Sequence, residues 1–178
     1  MRSSSKKTSG FTLPEILIAI VIGSMLLGAV TSSFTFVAKS CVSMNDYASL
    51  DGQSRRAVEL FSREVRAASD ISGFTKDGMT LTVPTSGGST YTVNFTYVSA
   101  DKTFYRAYGT SQQQALLTGV QRFALKRYNL LHNTASNDLE TKQIQLDAET
   151  ARGGGGRFHA TNHVLSAKFV MRNKVASN

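Results

Sequence analysis

A chain of 178 residues has room for one ordinary domain and little more. With 41% hydrophobic and 18% charged residues, 2 Pro and no Trp, it has the composition neither of a disordered chain nor of a fibrous repeat. The formal charge is +8, a modest excess that attracts nucleic acid and anionic lipid alike and specifies neither. Its single cysteine, Cys41, excludes an internal disulfide framework and a Cys-rich metal site, and reads as a small packing residue.

The first ten residues are polar and basic, with Arg2, Lys6 and Lys7. Residues 16–38 then run for 23 positions without a charge, the most apolar part being residues 16–30. A helix rises about 1.5 Å per residue, so roughly 20 apolar residues cross a bilayer. The basic flank before this run predicts a cytoplasmic N-terminus and an outward-facing C-terminal part. A secretory signal has its small-residue cleavage site after the apolar run, and here residues 31–40 read TSSFTFVAKS, with no strong site of that kind. The distinctive residues precede the run: Gly10, Phe11, Thr12, Leu13, Pro14 and Glu15.

Pro14 and Glu15 make little sense in a plain membrane anchor. Proline inside a helix removes an i to i−4 bond, but the first four N–H groups have no internal partner. Pro14 therefore suits a helix that begins near Phe11, where its missing N–H is lost without cost. A carboxylate in an apolar segment costs about 2.5–3.5 kcal/mol at mid-bilayer, so Glu15 needs a partner there. Cleavage after Gly10 would create an α-amine on Phe11, with an ordinary pKa near 8 and one helical turn from Glu15. That amine could pair with Glu15 of its own chain or of a neighbour, and pairing between neighbours would set the axial register of an assembly.

The string KKTSG-FTLPEILIAIVIGSMLLGAV resembles the class III signal of type IV prepilins and type II secretion pseudopilins. The resemblance covers about the first tenth of the chain. It implies that a prepilin peptidase, recognising the basic leader with Lys6 and Lys7, cuts between Gly10 and Phe11. It further implies that the enzyme N-methylates Phe11 and that Glu15 is the assembly residue.

Along the same helix, Tyr47, Leu50, Ser54, Val58, Phe61, Val65 and Ala68 follow i, i+3, i+4 spacing. Arg55, Arg56, Glu59, Arg63 and Arg66 lie off this stripe as a solvated face, with Arg55–Glu59 and Glu59–Arg63 as i, i+4 pairs. The pattern predicts helix over residues 11–69, ending before Gly73, with Gly52 a weak point. Ala19–Gly23, Ser24–Gly28 and Gly28–Ser32 are small-xxx-small pairs that let helices approach closely in lipid. The resemblance implies packing of this helix in a filament core, and Gly23 and Gly28 suggest local unwinding there.

After Gly73 the period becomes two. Leu81 and Val83 alternate with threonine, and Tyr91, Val93, Phe95 and Tyr97 alternate with polar residues. Further strands are predicted over residues 103–108, with residues 99–102 as the turn before them, and over residues 120–129, 143–148 and 164–172. Residues 153–156 are a glycine loop. One long helix followed by an antiparallel sheet is an α+β arrangement. LDGQSRRAVELFSREVRAAS, GVQRFALKRYN and VLSAKFVMRNK resemble parts of the larger minor subunits, pilin PilW and pseudopilin J (PulJ or GspJ). The chain lacks the paired-Cys C-terminal loop of many major pilins.

Other signals are weaker. His159 and His163 are four apart but follow the glycine loop and have no obvious carboxylate or Cys companion, and read as surface loop histidines. Asn94-Phe95-Thr96 is a chance-level glycosylation sequon. Arg122, Lys126, Arg127 and Lys142 could meet DNA, but the first three cannot share one face of a strand. No nucleophile motif, phosphate loop or carboxylate pair stands out, so no catalysis and no cofactor are expected.

These readings divide the chain into a leader (residues 1–10), a membrane and assembly helix (11–38), an amphipathic continuation (39–72) and a β-rich domain (73–178). The resemblance implies a structural subunit, held in the bacterial inner membrane with its C-terminal domain periplasmic and later placed in a filament. Its partners would be the prepilin peptidase, other pilins or pseudopilins through the N-terminal helix, and the inner-membrane assembly platform. The alternatives are a membrane-anchored binding module whose N-terminus stays intact, and a DNA-binding minor pilin.

Overall fold

The computed structural model describes residues 10–109, 111–152 and 163–174. The glycine loop at residues 153–156 and His159 lie outside them, as do Lys6 and Lys7. The chain forms two compact units, Met1–Val42 and Ser43–Asn178, and each is taken by itself.

Helix α1 spans Leu13–Ala67. Its part in the first unit is bare: Ile16 to Val30 and on to Val42 expose every large apolar side chain. It is the one helix among the described residues that is long and apolar enough to cross a membrane. The hydroxyls in this part turn back onto the helix. Ser24 donates to the Val21 carbonyl at 2.8 Å, Thr31 to Leu27 at 2.8 Å and Ser32 to Gly28 at 2.9 Å. Those bonds satisfy polar groups that hydrocarbon would leave without a partner. The helix is continuous across Gly23 and Gly28. Cys41 is exposed in this chain rather than buried in its core.

In the second unit, α1 buries Leu50, Ser54, Ala57, Phe61, Glu64 and Val65. Of the expected stripe, Leu50, Ser54, Phe61, Val65 and Ala68 are buried, Val58 is half-buried and Tyr47 is exposed, while Ala57 and Glu64 join the buried face. The helix stops two residues earlier than predicted, because Ser69 N–H already donates to the Thr82 carbonyl at 2.8 Å. Residues Asp70–Ser72 form a short strand, β1, where the sequence pattern showed none. Arg63 pairs with Glu59 at 2.9 Å as expected, but Arg55 pairs with Asp51 at 2.8 Å rather than with Glu59.

The strands that follow are β2 (Gly78–Pro84), β3 (Thr90–Val98), β4 (Thr103–Tyr108), β5 (Gln114–Thr118), β6 (Val120–Tyr128), β7 (Gln143–Thr150) and β8 (His163–Val170). They make two antiparallel sheets rather than one, ordered β1-β2-β3-β4-β5 and β6-β7-β8. The hairpin turn at residues 99–102 is as expected, with Lys102 in the left-handed region at φ 50. Strand β5 was not foreseen. A register shift between Phe104 and Tyr105 leaves Leu116 as the extra residue, so Leu116 and Leu117 are both buried and strict alternation is lost.

One core serves both sheets. The Phe61 ring centroid lies 5.0 Å from Phe95, which is in the larger sheet, and 5.8 Å from Phe169, which is in the smaller. Leu81, Val83, Val93, Phe104, Ile144, Leu146 and Met171 close around it. Gly119 joins the sheets in the left-handed region at φ +70, with the Ala151 carbonyl oxygen 2.4 Å from where a Cβ would sit. Only glycine fits there.

Candidate functional site

The helix start is built by three residues. The Thr12 carbonyl accepts from Glu15 N–H at 3.1 Å and Ile16 N–H at 3.2 Å, closing the first turn. Leu13 is the first helical residue and Pro14 the second. The missing N–H of Pro14 thus falls where no carbonyl lies upstream to receive it. Glu15 follows in the same turn, where a carboxylate opposes the positive end of the helix dipole. Among the described residues, no ion-pair partner faces it. Phe11 is 78% exposed and Gly10 is open, with nothing within 4 Å of a Cβ added there. An exposed Gly10–Phe11 bond therefore precedes an apolar helix that opens on a proline and an unpaired carboxylate.

Residues 5–31 match the prokaryotic N-terminal methylation motif. This class III signal supports a precursor of the type IV pilin or pseudopilin kind, a class of structural subunits rather than enzymes. The matched stretch contains Lys6 and Lys7 as well as Gly10, Phe11, Pro14 and Glu15. No curated protein matches the chain. Beyond residue 31, the domain must be read from its own geometry.

The least expected feature there is a buried charge. Glu64, 3% exposed on α1, is paired with Arg106, 6% exposed on β4. The Glu64 carboxylate also accepts from Tyr108 Oη at 3.1 Å and Tyr91 Oη at 3.2 Å. Arg106 lies over the Tyr108 ring at 4.0 Å and reaches the Gln114 amide oxygen at 3.5 Å. Its Nε has no partner. Partial burial, and then the charge of Glu64, push the Tyr91 phenol above its ordinary value, so it remains a proton donor near neutrality. Four side chains from α1, β3 and β4 thus share one charge-assisted network. Sequence reading missed it because Glu64 sits among arginines on a helix that looked solvated on that side.

His163 brings together residue types that elsewhere serve catalysis. Its Nδ1 lies 3.2 Å from Ser54 Oγ and its Nε2 3.8 Å from Asp51 Oδ1. Ser54 is only 3% exposed, and Arg55 also holds Asp51. Backbone N–H groups of an interior helical residue are spent on the helix, so none is left to form an oxyanion hole. The cluster is a polar tie between α1 and β8, so His163 lies in a strand with its side chain 18% exposed and not, as expected, in a surface loop. Among the described residues, no group of three or more His, Cys, Asp or Glu is placed to hold a metal.

The basic residues weighed for DNA each have a partner within the domain, with the Arg122 side chain still 86% and that of Lys126 54% exposed. Arg122 faces Glu149 at 3.6 Å, Lys126 meets Asp147 at 2.8 Å and Arg127 meets Asp138 at 2.5 Å. Lys142 donates to the Lys174 carbonyl. Arg127 also caps the carbonyls of Ala135 at 3.2 Å and Ser136 at 2.7 Å, fastening the loop between β6 and β7. The Asn94 amide is likewise engaged, donating to the Gly109 carbonyl at 3.0 Å from within β3.

Proposed function

We propose that the chain is the precursor of a structural subunit, a minor one, of a type IV pilus or a type II secretion pseudopilus. A prepilin peptidase removes residues 1–10 by cutting between Gly10 and Phe11, then N-methylates Phe11. The observation that carries this reading is the methylation motif at residues 5–31, coinciding with a bare apolar helix whose first turn holds Pro14 and an unpaired Glu15.

The physical sequence follows from those residues. The precursor sits in the inner membrane through α1, with residues 1–10 cytoplasmic and the β-rich domain outside. Cleavage frees a cationic amine on Phe11. In the assembly, the helix exchanges lipid for neighbouring helices, close approach being eased by Gly23 and Gly28. Glu15 then pairs with the Phe11 amine of an adjacent subunit, which offsets the cost of an ionised group in an apolar core and fixes the axial step. The assembly platform and other pilins or pseudopilins are the partners. A subunit of the PilW or PulJ/GspJ kind agrees with a domain that has no disulfide and is closed by the helix and two sheets.

Glu15→Ala tests the assembly role. The variant keeps Gly10, Phe11 and Pro14, so its leader is still cleaved, while its recovery in sheared filament fractions falls well below that of the parent. Equal recovery of the two in filaments would remove Glu15 from the mechanism.

A further inference from the structure

The outward face of the larger sheet differs from the rest of the domain. Arg106 is the one charged residue in strands β2 to β5, and it is turned inward to Glu64. The outward positions are instead threonine, asparagine, glycine, alanine and one tyrosine, with Pro84 and Val98 at strand ends. Register sets Thr80 beside Asn94, Asn94 beside Ala107, and Gly78 beside Thr96, which in turn lies beside Tyr105. These residues line a groove of about 480 Å³, within the roughly 300–1,000 Å³ of small-molecule sites. None of its lining residues is basic, and Asp77 at the rim is its one charged side chain.

The polar groups in the groove are held in place before any ligand arrives. Thr80 Oγ1 donates to Asn94 Oδ1 at 2.8 Å, and Asn94 Nδ2 donates to the Gly109 carbonyl at 3.0 Å. That relay fixes the amide orientation and leaves one Nδ2 proton and the Thr80 lone pairs for a ligand. The floor is kept low by Gly78, where an added Cβ would lie 2.8 Å from the Phe95 carbonyl oxygen. Half-buried Tyr105 supplies a ring beside these groups.

We propose that this groove binds a neutral saccharide. A sugar hydroxyl both donates and accepts, matching an amide and hydroxyl lining, and the C–H face of a pyranose suits the Tyr105 ring. A phosphate or other anion would meet Asp77 and no cation. An apolar ligand would strip water from hydroxyls and amides without replacing their hydrogen bonds. Groups already ordered reduce the entropy lost on binding.

The test uses the full chain in phospholipid nanodiscs, since a glycoside detergent would compete. Saturation-transfer NMR is recorded with cellotetraose, maltotetraose and chitotetraose, and with tetragalacturonate as the acidic control. Transfer is expected to at least one neutral tetrasaccharide and not to the acidic one. Asn94→Ala and Tyr105→Ala each weaken that binding about tenfold, while Lys168→Ala on the other sheet leaves it unchanged. Should either variant fail to fold, Thr80→Val removes one hydroxyl at nearly constant volume and is expected to weaken binding severalfold. Absence of transfer to all three neutral sugars overturns the proposal. So does binding that folded groove variants leave unaltered, or equal binding of the acidic sugar.

Discussion

Arg106→Leu would leave the Glu64 carboxylate buried without its cation. Removing one partner of a buried ion pair costs about 3–5 kcal/mol, because the remaining charge keeps its desolvation penalty. Here Glu64 would retain the hydroxyls of Tyr91 and Tyr108, which places the expected loss at the lower end, about 3 kcal/mol. In a domain of this size that lowers the melting temperature by roughly 10 °C. The double variant Glu64→Leu/Arg106→Leu removes both charges and fills the space with apolar atoms. Its tyrosines remain hydrated, since Tyr91 is 39% and Tyr108 44% exposed. The double variant should therefore lie within about 1 kcal/mol of the parent, giving a coupling of about 2 kcal/mol or more. Thermal unfolding of the four proteins, followed by near-ultraviolet circular dichroism, measures the cycle. If the double variant loses as much as the sum of the singles, the charge-desolvation argument is wrong.

Two glycines should respond in opposite directions. Gly119→Ala places a Cβ 2.4 Å from the Ala151 carbonyl at φ +70, and should destabilise by about 2 kcal/mol or more from strain and clash. Gly52→Ala, in an open helical position, should stabilise by about 0.5–1 kcal/mol; denaturant midpoints of the pair decide both. Asp147 is partly buried, which works against ionisation, but hydrogen bonds from Lys126, Ser166 and Gln145 outweigh this and hold its carboxyl below the ordinary 3.8. Its stabilising contribution is therefore present above about pH 4 and lost as pH falls through the lowered folded value. Acid unfolding of Asp147→Asn should show a shallower fall in stability below pH 4 than the parent, and identical slopes would count against that reading.

The fold was legible wherever hydrophobic period agreed with burial. Phe61 and its neighbours at helical spacing, and the alternation from Tyr91 to Tyr97, led directly to α1 and β3. Strand β1 is only three residues long, too short to show a period. Strand β5 hid because the shift opposite Phe104 buries adjacent leucines, which alternation does not anticipate. The division into two sheets turns on the left-handed bend at Gly119, which one glycine in a sequence does not announce. The helix start was legible to within two residues, because Pro14 fits only where a helix begins beside it. Glu64 was not, since pairing across 42 residues with Arg106 depends on tertiary register. The neutral face of the larger sheet was visible in principle as strands without charge, but only the register shows which positions lie together.

Assembly as proposed requires removal of residues 1–10, so the decisive measurement is the N-terminal mass of the protein purified from cells that contain a prepilin peptidase. A chain that begins at N-methylated Phe11 is the predicted result. A chain that still begins at Met1 or Arg2 under those conditions would contradict it, and would leave a membrane-anchored domain with no route into a filament.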